Sequence, residues 1–290
     1  MKRALEKEGE SLETPKETYA DASADALLDP VQPRLAFRLN TLHPNWIHGG
    51  LVPRRANDET DGLDVLLSTR ALRGATELHL HNYLVDLDLL AREYPAIVNV
   101  PLVLVVSSES SCGHLDKMMW GDSQVPFSQL SNFRFCYPAM DPWGTYHSKM
   151  IIVKKADSLT VGVLTGNFIW GDIHNKTNAI WRQTFPRQGA AAPTLLGEDL
   201  RAYYAAIAAA CREGIPSLKR WPIRPWTDKR PEPAALKELS WLCGYDFTAS
   251  KARLIASVPG RHTGTADLNK FGHLAVRRLL AREPLPEGMG

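Results

Sequence analysis

The sequence predicts one α/β domain, and three observations predict it. Strand-like and helix-like stretches alternate along most of the 290 residues, the pattern of a sheet covered by helices. The run Val100–Ser107 (VPLVLVVS) is apolar almost throughout, as in a strand buried on both faces. Leu195–Arg212 repeats apolar residues at helical spacing and is closed by Gly214 and Pro216, ordinary stop signals of a helix.

The elements follow in order. Residues 1–33 are rich in Glu, Lys, Ser, Ala and Asp and end in Pro30-Val31-Gln32-Pro33. They bury too little apolar surface to offset chain entropy, which predicts a disordered N-terminal tail. Order is expected from about Leu35-Ala36-Phe37-Arg38, and a domain over residues 34–284. Leu63–Leu67 reads as a short helix or strand, and Glu77–Tyr83 alternates as a strand. Asp86–Tyr94 has helical spacing, with Asp86 as N-cap and Pro95 at the end. After Val100–Ser107, strands are expected at Ser131–Tyr137, Lys149–Lys154 and Leu159–Leu164, the last two joined by a turn at Lys155-Ala156-Asp157-Ser158. Beyond the Leu195–Arg212 helix come a proline-rich connector (Pro222–Pro233), a helix at Ala235–Leu242, a strand at Arg253–Ser257 and a helix at Leu268–Leu280.

Composition narrows the classes. A hydrophobic fraction of 44% and a charged fraction of 23% are those of a globular protein. A formal net charge of +2 does not describe a wholly basic nucleic-acid binder, but it permits a local basic groove. The four cysteines are widely spaced with no CxxC pair, so neither a disulfide framework nor a zinc module is expected, and reduced thiols are the default. No apolar run reaches the length of a membrane span, and the charged N-terminus lacks a signal-peptide h-region. The expected setting is cytosol or nucleus, with no membrane partner.

The chemistry concentrates in Tyr146-His147-Ser148-Lys149-Met150, followed by Thr165-Gly166-Asn167. On a strand, His147 and Lys149 point to the same face. If the turn closes a hairpin, His147 falls opposite Gly166, with Asn167 beside it. An imidazole, an ammonium and a carboxamide then meet at one sheet edge, a set that suits a phosphodiester. Neutral imidazole, with an ordinary pKa of about 6.5, attacks phosphorus. Lys149 neutralises the non-bridging oxygens and Asn167 donates a hydrogen bond to one of them. Asp/Glu clusters suited to magnesium are absent from these stretches, so chemistry without metal or other cofactor is expected. The competing reading is a strand with a chance His and Lys, since the same spacing recurs in His174-Asn175-Lys176.

The surrounding residues carry a resemblance. Gly144–Met150, Leu164-Thr165-Gly166-Asn167-Phe168-Ile169 and Asp172–Trp181 are similar to the tyrosyl-DNA phosphodiesterase family, a branch of the phospholipase D superfamily. Phe37-Arg38-Leu39, Asn82-Tyr83 with Asp86-Leu87-Asp88, and Tyr94-Pro95 resemble its earlier part; Pro216–Lys219, Ser257–Arg261 and Gly272-His273 resemble later stretches. The similarity spans about residues 34–282. It implies a phospholipase D-like domain with a mixed β-sheet flanked by helices. By the resemblance, His147 matches the nucleophile, Lys149 and Asn167 the phosphate-binding pair, and Trp143 an aromatic that stacks near a DNA 3′ end. Asn178 stands where the family usually has glutamine. The superfamily's aspartate, five positions after the lysine, is Lys154 here, and the tyrosyl-DNA branch also lacks that aspartate.

The resemblance also sets expectations for function. The substrate would be a DNA 3′ end, preferably single-stranded, joined to a tyrosyl peptide. Hydrolysis would pass through phospho-His147 and serve DNA repair in the nucleus. The family carries a second His/Lys/Asn set in a C-terminal half, and this chain shows one set, so it is expected to hold the first half only. A homodimer or a missing C-terminal half would complete the site; a catalytically incomplete half that binds DNA ends is the alternative. A superfamily phosphodiesterase for lipid or ordinary nucleic acid is a third reading, disfavoured by the Thr-Gly-Asn and His-Asn-Lys-Thr stretches. Outside these motifs, His79 and His81 share a strand face, without a third metal ligand and with a core or edge role expected. His114 and Ser107–Ser111 read as polar loop, Arg277-Arg278 as a solvated helix face, and Trp170 and Trp181 as core. Arg261, His262 and His273 fit ordinary capping or packing better than a place in a substrate groove.

Overall fold

The computed structural model describes residues 34–38, 62–106, 133–139, 145–176, 178–189, 193–211, 234–260, 262 and 270–281, with backbone alone at 34–38, 87, 88, 174 and 175. The predicted tail, the Ser107–Lys117 loop with His114, Trp143, the Pro222–Pro233 connector and Arg261 lie outside them.

The strands are β1 (Arg34–Arg38), β2 (Ala75–Asn82), β3 (Leu102–Val106), β4 (Phe133–Cys136), β5 (Met150–Lys155), β6 (Ser158–Leu164) and β7 (Asn178–Pro186). They form one mixed seven-stranded sheet in the order β1-β7-β6-β5-β2-β3-β4. The β2, β3 and β4 pairings are parallel, whereas β2 with β5 and the β5-β6-β7-β1 run are antiparallel. The helices are α1 (Asp64–Leu67), α2 (Thr69–Leu72), α3 (Leu87–Glu93), α4 (Trp170–Asn175), α5 (Leu195–Ala210), α6 (Ala234–Lys237) and α7 (Gly272–Leu280), with 3-10 turns at Pro95–Asn99 and Ser240–Gly244. Among the described residues no helix is long and apolar enough to cross a membrane.

Two cores sandwich the sheet, and strand alternation assigns residues to each. Leu102, Leu104 and Val106 of β3 face one core with α1, α2 and α3, while Val103 and Val105 face the other with α5 and α6. This confirms the reading of Val100–Ser107 as a strand buried on both faces. Leu66 packs so close to β6 that a Cβ at Gly162 would lie 2.5 Å from Leu66 Cδ1; only a glycine admits that approach. Asp86 caps α3 as expected, accepting a hydrogen bond from Leu89 N at 2.9 Å.

Some expectations need correction. Ala235–Leu242 is not one helix: α6 stops at Lys237, and a 3-10 turn follows from Ser240. Arg253–Ser257 forms no strand among the described residues; its Arg253 is held instead by Asp199 of α5 through bonds of 2.7 and 2.9 Å. Elements without a sequence forecast include α2, α4 and the nine-residue β7.

Candidate active site

One end of the sheet gathers the chemistry. There β2 ends at Asn82, β6 ends at Leu164, β5 begins at Met150 and β7 begins at Asn178. Met150 pairs with Val163, and Leu164 N donates to Lys149 O at 3.1 Å, extending the ladder by one residue. The ladder goes no further, so the His147–Gly166 pairing expected from the hairpin is not formed as strand. Residues 145–149 are not themselves strand, so strand alternation does not bring His147 and Lys149 together. His147 is exposed and Lys149 is 6% exposed. The lysine side chain curls back, its Nζ lying 3.0 Å from His147 Nδ1, 3.3 Å from Nε2 and 3.2 Å from the His147 carbonyl oxygen. The Tyr83 ring rests against the imidazole, centroid to centroid 5.0 Å.

Charge sets the protonation states. Burial and then the Lys149 ammonium push the His147 pKa below its ordinary value, with Asp172 opposing them. Burial likewise lowers Lys149, again against Asp172. At neutral pH the ring is therefore neutral, as a nitrogen nucleophile must be.

Asp172 is the residue that sequence reasoning missed. Its Oδ2 accepts from Asn167 N at 2.9 Å and from Asn167 Nδ2 at 2.6 Å, and its Oδ1 accepts from Lys176 Nζ at 2.5 Å. Burial alone would raise its pKa, but the bonds from Lys176 and Asn167 outweigh that and hold the carboxyl low. One signal was available: a carboxylate in the first turn of a short helix, close after the Thr-Gly-Asn stretch. Asn178 completes the frame. It donates from Nδ2 to Asp172 O at 2.6 Å, and its Oδ1 accepts from Thr165 Oγ1 at 3.1 Å. Asn167, Asp172, Lys176 and Asn178 line a small cavity together with Leu164 and Ile180. The frame holds the Asn167 carboxamide by one N–H and leaves it a second N–H for another acceptor.

The structure thus brings His147 and Lys149 into contact and ties Asn167 and Asn178 to Asp172, whose charge reaches both His147 and Lys149. Lys154 lies elsewhere, 3.8 Å from Glu77 and over the Trp241 ring. His262 bonds to Val258 O at 3.0 Å, Trp170 and Trp181 are half-buried against the cores, and Arg277 is exposed. Asp172→Asn is expected to cost about 1–3 kcal/mol in unfolding free energy, because one amide replaces a carboxylate that takes three donors. Loss of the negative charge should also lower the His147 pKa further, which an NMR titration of the ring would read.

The profile of the family described as tyrosyl-DNA phosphodiesterase matches residues 46–289. The chain is 29% identical over 255 residues to tyrosyl-DNA phosphodiesterase 1 of Arabidopsis thaliana, covering 84% of this chain and 36% of that protein. It is 26% identical over 210 residues to tyrosyl-DNA phosphodiesterase 1 of Drosophila melanogaster, covering 71% and 32%. The chain therefore spans about a third of the length of the curated relatives it matches. Its fold superposes on the crystal structure of the yeast tyrosyl-DNA phosphodiesterase with a TM-score of 0.57 at 13% identity, over 87% of this chain and 49% of that one. The likeness to the yeast protein supports the mixed-sheet α/β fold.

Proposed function

The chain belongs to the tyrosyl-DNA phosphodiesterase family, and from that premise we propose that it acts on DNA 3′ ends carrying a tyrosyl adduct. His147 is the nucleophile on phosphorus, and Lys149 and Asn167 stabilise the phosphoryl oxygens. The observation that carries this reading is the Lys149 ammonium against a depressed-pKa His147 ring. A phosphate oxygen is a stronger acceptor for an ammonium than a ring nitrogen. An entering phosphodiester takes over Nζ and frees the ring lone pair. The P–N bond to His147 forms as the P–O bond to tyrosine breaks; water then cleaves P–N and leaves a 3′-phosphate.

Trp143 and Asn178 are assigned to substrate binding, Trp143 as a stacking platform for the terminal base and Asn178 as the brace of the Asn167 loop. Residues 34–284 act as one catalytic domain, without a metal. Protonation of the leaving tyrosine and activation of water call for a second acid/base, which a homodimer partner or a C-terminal half would supply. Without one, the chain would capture DNA ends and hold them. A single-stranded substrate, a role in DNA repair and a nuclear location complete the proposal.

The test is incubation of the chain with single-stranded DNA bearing a 3′-phosphotyrosine. Tyrosine release, or a DNA-linked band that survives denaturation, is the expected result, absent with a 5′-phosphotyrosyl or plain 3′-hydroxyl end. Equal reaction with all three ends, or none with any, contradicts the proposal.

A further inference from the structure

A chain of buried polar side chains lies directly behind the pentad. On β2, Leu78 and Leu80 enter one core while His79 and His81 enter the other. Both imidazoles are essentially inaccessible, and buried polar groups need partners. His79 Nε2 is 2.8 Å from Glu77 Oε1, and His79 Nδ1 is 2.9 Å from Tyr204 Oη. Tyr204 Oη is 3.2 Å from His81 Nε2, and His81 Nδ1 is 2.7 Å from Tyr146 Oη. Tyr203 Oη lies 2.6 Å from Tyr146 Oη and 3.1 Å from His81 Nδ1. Tyr146 immediately precedes His147.

Glu77 gives this chain a direction. Burial opposes its ionisation, but His79, Arg134 and Lys154 pull its carboxyl down to about 2, so it only accepts. Burial keeps both histidines neutral. His79 must then donate from Nε2, and its Nδ1 accepts from the Tyr204 hydroxyl. The Tyr204 oxygen accepts from His81 Nε2–H, and His81 Nδ1 accepts from Tyr146. The Tyr203 hydroxyl closes on both, 2.6 Å from the Tyr146 oxygen and 3.1 Å from His81 Nδ1. Every hydrogen points toward Glu77.

Residues 145–149 are not strand, so no ladder holds the backbone at His147. We propose that the Tyr146–His81–Tyr204–His79–Glu77 chain is a positioning device that locks Tyr146 and thereby holds His147 beside Lys149. Its side chains touch no reacting atom. Its effect on turnover rests on the proposed role of His147; its effect on the His147 ring does not.

Long-range 1H–15N spectra of the histidine rings test it in the full chain. His79 and His81 are expected as neutral Nε2–H forms from pH 8 to 6. Tyr146→Phe keeps the ring and removes the anchor. It should let His147 drift from Lys149, raising the His147 pKa toward the ordinary value and slowing covalent capture of a 3′-phosphotyrosyl end by about 10- to 100-fold, the scale of an ångström-sized misplacement. Unchanged DNA affinity would set this apart from general loss of structure. Glu77→Leu, at the partly buried end, is the second variant should Tyr146→Phe fail to fold. It should move His147 in the same direction, and Glu77→Gln, which keeps a carbonyl acceptor, should restore the wild-type titration. An Nδ1–H form at His79 or His81, or a His147 titration that no variant moves, overturns the proposal. If the wild type captures no DNA, the functional reading fails while the ring spectra still decide this one.

Discussion

His147→Ala is expected to abolish covalent capture of a 3′-phosphotyrosyl end while leaving the fold intact, because the ring is exposed and, among the described residues, rests against Tyr83 and Lys149. No other described group stands in its place: Ser148 is adjacent, but a serine hydroxyl needs a base to attack phosphorus. Lys149→Ala separates charge from nucleophile. The ring remains, and the positive charge 3.0 Å from it is lost. Removing one preorganised cation from developing charge costs about 100- to 1000-fold. The same change should raise the His147 pKa toward its ordinary value, because the ammonium contributes to its depression. The pH profile of capture, which rises as His147 loses its proton, should then shift to higher pH in the variant. A Lys149→Ala protein with an unshifted profile and full rate would contradict the assignment.

The second large effect is on stability. His81→Phe is expected to cost about 2–6 kcal/mol, since the Tyr146 hydroxyl loses its His81 acceptor and the Tyr204 oxygen its donor inside the core, at roughly 1–3 kcal/mol for each buried group left unpaired. That is a large part of the stability of an ordinary domain. The pH dependence has a definite sign. Burial depresses both His79 and His81 in the folded state, so below pH 6.5 the unfolded chain takes up protons that the folded chain refuses. Their contribution is complete above the ordinary histidine pKa and is lost as pH falls toward the folded values. The limiting slope is about 1.4 kcal/mol per pH unit for each imidazole. Glu77 adds a later loss between pH 4.5 and about 2. Urea unfolding at pH 7.5, 6.5 and 5.5 should show stability falling in the wild type and falling about half as steeply in His81→Phe. A wild-type curve flat over that range would contradict burial of two neutral rings.

Local signals account for the parts of the fold visible in the sequence. The β5–β6 hairpin reads directly from two apolar runs around a polar turn, and its register carries as far as the Leu164 N to Lys149 O bond, short of His147. The double-sided burial of β3 shows in its unbroken valine run. β7 was not legible, because its apolar residues are split between the two cores, Ile180 to one and Trp181 and Phe185 to the other, with Arg182, Gln183 and Thr184 breaking the apolar run. The Ala235–Leu242 stretch has helical composition, but the helix stops before Glu238, whose side chain accepts a local hydrogen bond from Ser240 N at 2.7 Å. In the site, spacing and resemblance point to His147, Lys149, Asn167 and Asn178. Asp172, which ties two of them together, acts through a local loop geometry, and its one sequence signal is a carboxylate in the first turn of a short helix just after Thr-Gly-Asn. The tyrosine–histidine chain was less visible still: apart from Glu77–His79, its bonds join residues 57 to 125 positions apart.

The central claim is that one imidazole of this chain bonds to phosphorus. Its most direct test is peptide mapping by mass spectrometry, at alkaline pH to preserve a P–N bond, of protein quenched during reaction with a short 3′-phosphotyrosyl oligonucleotide. The account predicts the nucleotide on the peptide containing His147, with fragment ions locating it on that residue. A nucleotide carried by any other residue would contradict it, as would tyrosine release with no adduct at any quench time.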